Sequence, residues 1–290
     1  MPIVWLGEPE AHEPSLVGGK AASLSRLAAE HPVPPGFVLT STALRQAAPE
    51  LQRGVVPPTL HAEIATAYEQ LGGGRVAVRS SAIDEDGDAH SFAGLHETFL
   101  NVEGADAVAE AVVRCYASAF APRAFEYRRH VGLPVDEICL AILVQALILA
   151  DSSAVVFSAN PINGRLDEIV VNASYGLGES IVGGSTTPDT FVVRKVDLEI
   201  LSRTIGEKRV MTVPTRGGTR EVETPALLRG KPSVTDDDVI GMASLAVRLE
   251  STTGAPVDIE CAVAAGFLYV LQSRPITTLR SPSGAERSTP

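Results

Sequence analysis

A mixed fold of helices and strands in two lobes is what this sequence predicts, and three observations carry the expectation. The chain has 290 residues, 45% of them hydrophobic, which is enough apolar material to bury a large core. Short period-2 runs alternate with stripes of helical period along its length. No internal repeat recurs between them.

The elements follow in order. Ile3 to Leu6 read as a first strand, and Gly18-Gly19 precede a helix whose Ala21, Leu24, Leu27 and Ala28 share a face, with Lys20 in its first turn. Pro32, Pro34, Pro35 and Gly36 end that unit before a strand at Phe37 to Thr40. A Pro-rich helical stretch reaches Gly72-Gly73-Gly74, and Arg75 to Ser81 form a strand running into the acidic loop Asp84 to Asp88. After a strand at Thr98 to Val102, residues 105–131 are expected as one helix, with Val108, Val112, Cys115, Tyr116 and Ala119 on its apolar stripe.

Strands recur at 139–147, 154–158 and 168–172, followed by the glycine-rich Tyr175 to Ser185 and a hairpin at Thr190 to Arg203. The polar segment 205–233, with several Gly and Pro residues, is expected as a mobile loop or lid. Asp236 to Asp238 open a helix whose Val239, Met242, Ala243, Ala246 and Leu249 face inward and which Gly254 ends.

The last ordered unit is a hairpin. Val257, Ile259, Cys261 and Val263 alternate with Asp258, Glu260 and Ala262, which sends both carboxylates to one side. With a three-residue turn at Ala265-Gly266-Phe267, Gln272 lies opposite Glu260 and Arg274 opposite Asp258, at a Cβ spacing of about 5 Å. Carboxylate and amide oxygens so placed suit a hard cation, with a guanidinium beside it for a phosphate. The same pattern equally describes a solvated edge ribbon with an ordinary cross-strand ion pair, and a two-residue turn would pair Glu260 with Leu271 instead.

The formal net charge of −11 argues against a nucleic-acid surface, so an anionic ligand must be held by a few placed cations. Cys115, Cys139 and Cys261 lack zinc spacing and read as reduced structural thiols. No secretory leader is visible, and the apolar run Ile138 to Ala150 is too short for a bilayer, so the expectation is a cytoplasmic protein with no membrane or nucleic-acid partner. None of the six histidines joins a HxxxH, HExxH or Ser/His/Asp pattern.

Three further groups stand out. Gly18-Gly19-Lys20 before a helix offers backbone donors and a mobile cation to a polyphosphate, or is simply a diglycine turn with a surface lysine. Arg79, at the end of an apolar strand, suits a bidentate phosphate contact or neutralises the acidic loop that follows. Gln145 interrupts a hydrophobic strand, and its buried amide needs either a ligand edge or a backbone partner in the core.

Together, Leu16 to Leu24, Val33 to Phe37, Val78 to Ser81, Ser91 to Gly94, Phe157 to Pro161, Gly176 to Glu179 and Leu271 to Thr277 resemble, in order, the blocks of a known domain. It is the ATP-binding domain of the pyruvate phosphate dikinase and phosphoenolpyruvate synthase superfamily, with rifampicin phosphotransferase the nearest pattern. The resemblance implies an α+β, ATP-grasp-like fold whose two lobes clamp a nucleotide: 1–190 as the N-terminal lobe, with an approximate boundary, 191–279 as the C-terminal lobe, and 280–290 as a linker or disordered tail. It implies ATP and Mg²⁺ as cofactors. Lys20 and Arg79 are then phosphate ligands, Gly94 and Thr98 belong to the loop over the phosphates, and Gln145 falls in the adenine block. Glu260 and Gln272 match the magnesium ligands and Arg274 a phosphate-binding arginine. Lys20, Arg79 and Arg274 are the residues expected to act in catalysis.

Two departures from the family pattern are small, Ala154 where glycine is common and Cys261 where an aromatic residue is common. A larger one is that no phosphohistidine motif follows. The expected activity is therefore an ATP- and Mg²⁺-dependent phosphotransferase module that passes a phosphoryl group to a histidine on a separate domain or partner. The alternatives are a free-standing kinase acting directly on a small metabolite or antibiotic intermediate, and a non-catalytic nucleotide-binding subunit.

Overall fold

The computed structural model describes residues 1–82, 97–130 and 140–276. Its contacts divide into two units. The first is Met1–Leu149 with Thr212–Glu221 and Tyr269–Ser273; the second is Ala150–Met211 with Val222–Leu268 and the described residues from Arg274. The first break falls after Leu149, well before the approximate lobe boundary of 190 expected above, because the strands that follow Leu149 pair among themselves.

In the first unit, β1 (Ile3–Trp5), β2 (Gly36–Leu39), β3 (Val76–Ala82), β4 (Thr98–Val102) and β5 (Leu140–Ala146) form an antiparallel sheet in the order β1-β2-β5-β3-β4. Alternation divides it into two faces. Phe37, Leu39, Val76, Val78, Ile142 and Val144 pack into one core with Leu44 of α2 (Ser41–Gln46), Leu51 of α3 (Ala48–Leu51), Ile64 and Tyr68 of α4 (Pro58–Gln70), and Val108, Val112 and Cys115 of α5 (Ala105–Ala119). On the other face, α1 (Pro14–Leu27) packs against β2, β3 and β5 with Val17, Ala21, Ala22 and Leu24 buried. The helix expected over 105–131 is two helices, α5 and α6 (Pro122–His130). Pro122 has no N–H for a continuing ladder and opens a new helix instead.

Helix α1 is broken inside at Gly18, whose φ of 77° and ψ of 167° are not helical. The glycine is required twice over. Positive φ disfavours any side chain, and a Cβ built there would lie 1.9 Å from the Ser81 carbonyl oxygen. Ser81 Oγ then accepts the Ala21 N–H at 3.1 Å, so the turn carrying Lys20 is seated directly on the end of β3. Gly18→Ala is expected to cost at least about 2 kcal/mol of stability, read as a lower urea midpoint at unchanged slope. A variant as stable as the wild type would contradict the close approach.

The second unit is built on β6 (Ser152–Phe157), β7 (Glu168–Tyr175), β8 (Asp189–Arg194), β9 (Ile200–Thr204) and β12 (Val257–Ala264), in a sheet ordered β13-β12-β6-β7-β8-β9 whose edge strand β13 (Phe267–Pro275) gives its middle, Tyr269–Ser273, to the first unit. Helix α9 (Asp236–Thr253) covers one face with Val239, Met242, Ala243, Ala246 and Leu249, all buried. Its ends are as expected: Thr235 and Asp238 form a capping box, and Gly254 closes it in the left-handed conformation at φ 73°. Short α7 (Glu179–Val182) and α8 (Ala226–Arg229) complete the unit.

The segment 205–233 is not a loop. It contains the two-stranded ribbon β10 (Val210–Thr215) and β11 (Gly218–Glu223), whose tip groups with the first unit. There Asn101 Nδ2 donates to the Thr215 carbonyl at 2.5 Å and to the Gly218 carbonyl at 2.8 Å. Asn101 sits at a bulge of β4 with φ 59°, which turns its side chain toward the ribbon. The same polar segment also carries a fully buried ion pair in the second unit. Lys208 Nζ donates to Asp189 Oδ1 at 2.5 Å and to the Gly206 carbonyl at 2.8 Å, and both charged side chains have 0% exposure. Gly206 N (3.0 Å), Ser233 N (2.7 Å) and Ser233 Oγ (2.7 Å) also donate to the Asp189 carboxylate.

Among the described residues no helix is long and apolar enough to cross a membrane. Gly94, the acidic loop 84–88, Cys139 and the tail 280–290 lie outside the described residues.

Candidate nucleotide and cation site

Residues of the first unit come together on the α1 side of its sheet. Val76 and Val78 face the opposite core, so alternation turns Ala77, Arg79 and Ser81 toward α1. On β5 the same rule puts Leu143 and Gln145 on that side, and the register pairs Arg79 with Leu143 and Ala77 with Gln145. Thr98 is the residue paired with Arg79 on the other flank. It is thus the exposed first residue of a strand rather than part of a loop, because β4 begins there. Gly18 resting on Ser81 brings the Lys20 turn to the same edge.

Arg79 is half-buried and reaches the middle of β13. Its Nη1 donates to the Leu271 carbonyl at 3.1 Å and its Nη2 to Gln272 Oε1. Arg79 Nε is buried with no hydrogen-bond partner among the described residues. The β13 backbone is held by two further bonds, Ser23 Oγ to the Ser273 carbonyl at 3.0 Å and Val270 N to the Pro32 carbonyl at 3.0 Å. Gln272 is therefore a fixed, buried amide of 5% exposure.

Gln145 is 3% exposed, and its Nε2 donates to the Pro34 carbonyl at 2.9 Å. A core backbone partner thus uses one of the two amide N–H donors. If the neighbouring backbone and this amide frame an adenine, Gln145→Ala lowers ATP affinity by about tenfold with a smaller change in maximal rate. Competition binding with ATP, GTP and CTP checks this, and an equal loss for all three would count against adenine recognition.

In the second unit, Asp258 and Glu260 lie on the sheet face opposite α9, with Asn172 and Thr190 on the same face through the β6–β7–β8 register. The Arg274 guanidinium holds Asp258 Oδ2 from Nε at 2.9 Å and Nη2 at 2.7 Å. Asp258 Oδ1 is buried with no hydrogen-bond partner among the described residues. Desolvation pushes the Asp258 carboxyl above its ordinary pKa despite the pull of Arg274, and the Glu260 charge pushes the same way. The sequence places Asp258 on one face with Glu260 and opposite Arg274, and the structure agrees on both points.

The turn of this hairpin is Ala265–Gly266, both with positive φ (50° and 79°), so it is a two-residue primed turn and not the three-residue turn expected. Counted strictly from that turn, Arg274 would oppose Val257. The bond from Ile276 N to the Pro256 carbonyl at 2.8 Å and the Asp258 ion pair instead set Arg274 against Asp258. One extra residue is therefore taken up along β13, and the expected pairing at Arg274 stands.

On this face of the second unit Asp258 and Glu260 offer carboxylate oxygens, the donor type a hard divalent cation takes. Among the described residues no group of three or more His, Cys, Asp or Glu could hold a metal. Such a set fits an ion that completes its shell with ligand phosphates better than a protein-only cage.

An α+β chain with cations and oxygen ligands set this way belongs to the class of nucleotide-binding domains. Residues 48–289 match the model of the pyruvate phosphate dikinase, AMP/ATP-binding domain, and the chain belongs to that family. Lys20 precedes the matched segment, but full-length relatives align across almost the whole chain. A probable phosphoenolpyruvate synthase of Methanocaldococcus jannaschii is 36% identical over 96% of this chain and 27% of its own length. The prodigiosin synthesizing transferase of Serratia marcescens is 37% identical over 97% of this chain and 34% of its own. The rifampicin phosphotransferase of Streptomyces sviceus is 36% identical over 96% of this chain and 36% of its own. The chain thus spans less than half the length of these relatives. Among solved structures, an acetyl-coenzyme A synthetase of Ca. Korarchaeum cryptofilum covers 76% of this chain and 82% of its own at 12% identity, with a TM-score of 0.40, too low to assign a fold.

Proposed function

We propose that this domain binds ATP with Mg²⁺ in an ATP-grasp-like manner, cleaves it, and passes a phosphoryl group to a histidine on a separate domain or partner. The observation that carries the reading is the shared sheet face of Arg79, Thr98 and Gln145, with Arg79 bonded to Gln272. In this scheme Lys20, Arg79 and Arg274 bind the phosphates and neutralise the charge that develops on them. Gly94 and Thr98 cover the phosphates, and Gln145 lines the adenine pocket. Glu260 and Gln272 hold the cation, which supplies Lewis-acid neutralisation of the phosphate oxygens when bound. Phosphoryl transfer needs chiefly such positioning and charge neutralisation, so no nucleophile of this chain is required.

A second reading is direct transfer to a small metabolite or antibiotic intermediate with no histidine domain between; the name of the rifampicin phosphotransferase relative gives a small acceptor without giving the route to it. Isotope-labelled ATP incubated with the chain, with and without a phosphohistidine domain, separates the two. Label on the added histidine, with AMP as product and the other phosphate released to water as inorganic phosphate, supports the first reading. Label on a small acceptor without that domain supports the second, and binding with no turnover under any condition leaves a non-catalytic nucleotide-binding subunit.

A further inference from the structure

Arg79 and Gln272 are assigned to different partners in the proposed site, the first to phosphate and the second to the cation, yet in the structure they are bonded to each other. An amide oxygen has two lone pairs, so geometry alone would let Gln272 Oε1 accept a guanidinium and ligate an ion together. Charge forbids it. A divalent cation on that oxygen would sit within about 4 Å of the guanidinium in a partly buried setting, where like charges repel strongly.

Resting on the function proposed above, we infer that the Arg79–Gln272 bond is a lock that makes cation binding conditional on nucleotide. While Arg79 is held by Gln272 Oε1 and the Leu271 carbonyl, the amide oxygen is occupied and a fixed positive charge guards it. A polyphosphate is a stronger partner for a guanidinium than a neutral amide and a carbonyl are. It draws Arg79 away and cancels its charge, which releases Gln272 for the ion. The buried, unpartnered Nε of Arg79 is consistent with a guanidinium kept for another acceptor. Ser23 and Pro32 hold the β13 backbone in both states, so the exchange needs only side chains to move.

The test uses Mn²⁺ alone, titrated by electron paramagnetic resonance into the nucleotide-free chain. Arg79→Met is expected to raise Mn²⁺ affinity by about tenfold, the order of one charge-assisted hydrogen bond. In a Gln272→Leu background the same substitution is expected to give a much smaller gain, left by through-space charge alone. An equal gain in both backgrounds would mean that only through-space charge was removed, and no gain in either would mean there is no lock; both overturn the inference. A second measurement needs no variant at Arg79: the side-chain amide resonance of Gln272 in the wild type is followed as a non-hydrolysable ATP analogue is added with a chelator present. The lock predicts a shift before any metal is supplied. Nucleotide bound with Gln272 unshifted would overturn the lock alone, whereas no nucleotide binding at all would overturn the site reading and the lock with it.

Discussion

Glu260→Ala is expected to reduce Mg²⁺-dependent turnover of ATP by about a hundredfold or more while leaving the fold intact. The side chain is half-buried on the face of its sheet opposite α9, so its removal opens no cavity in the core formed with that helix. Its expected role lies in holding a cation against phosphate oxygens, a contact that matters most as charge builds up during transfer. Glu260→Gln keeps the shape and removes the charge, and it is expected to behave almost as poorly. Isotope release from labelled ATP measures the rate, and circular dichroism with a thermal melt checks the fold. Turnover unchanged in either variant would remove the metal role from this residue.

Lys208→Met is expected to destabilise the second unit by about 3–5 kcal/mol, enough to unfold much of a marginally stable domain. The Asp189 carboxylate has 0% exposure, and taking away its cation leaves a buried charge served only by neutral donors from Gly206 and Ser233. The pair probed here has no assigned contact with nucleotide, so the loss is expected in urea or thermal unfolding and not as a specific kinetic defect. Removing both charges in a Lys208→Met, Asp189→Leu double variant is expected to recover part of the loss, because no unpaired buried charge remains. A single variant within about 1 kcal/mol of the wild type would show that water or rearrangement satisfies Asp189.

Local patterns were legible in the sequence and long-range partners were not. Helix α9 announced itself because both its ends are chemical signals, the acidic run Asp236 to Asp238 at the start and Gly254 at the close. Strand β12 was legible because one of its faces is fully apolar and the other carries Asp258 and Glu260. Ribbon β10–β11 was missed for the opposite reason. It buries little on either side, so no alternation marks it, and its Gly and Pro residues imitate a loop. Nothing local marks Lys208 in that polar stretch, since its partner Asp189 is 19 residues away on β8.

The site divides in the same way. Residue type and spacing pointed to Arg79, Gln145 and Gln272 one at a time, but their relation depends on strand register and on a bond between residues 193 apart in sequence. That one partner of Gln145 is the Pro34 carbonyl, 2.9 Å from its amide nitrogen, is equally invisible to spacing, because the two residues are 111 apart in sequence. Gly18-Gly19 read as a phosphate-binding turn, whereas Gly18 is also needed for its close packing on Ser81, which no local pattern reveals.

The account rests on Arg79 and its neighbours receiving the phosphates of a nucleotide, and a crystal of this chain grown with a non-hydrolysable ATP analogue and Mg²⁺ tests that most directly. The expected result is a triphosphate against Arg79 and Lys20, with the Arg79 guanidinium turned from Gln272 to phosphate oxygen. An analogue bound elsewhere, or Arg79 still joined to Gln272 beside a fully occupied nucleotide, would contradict it.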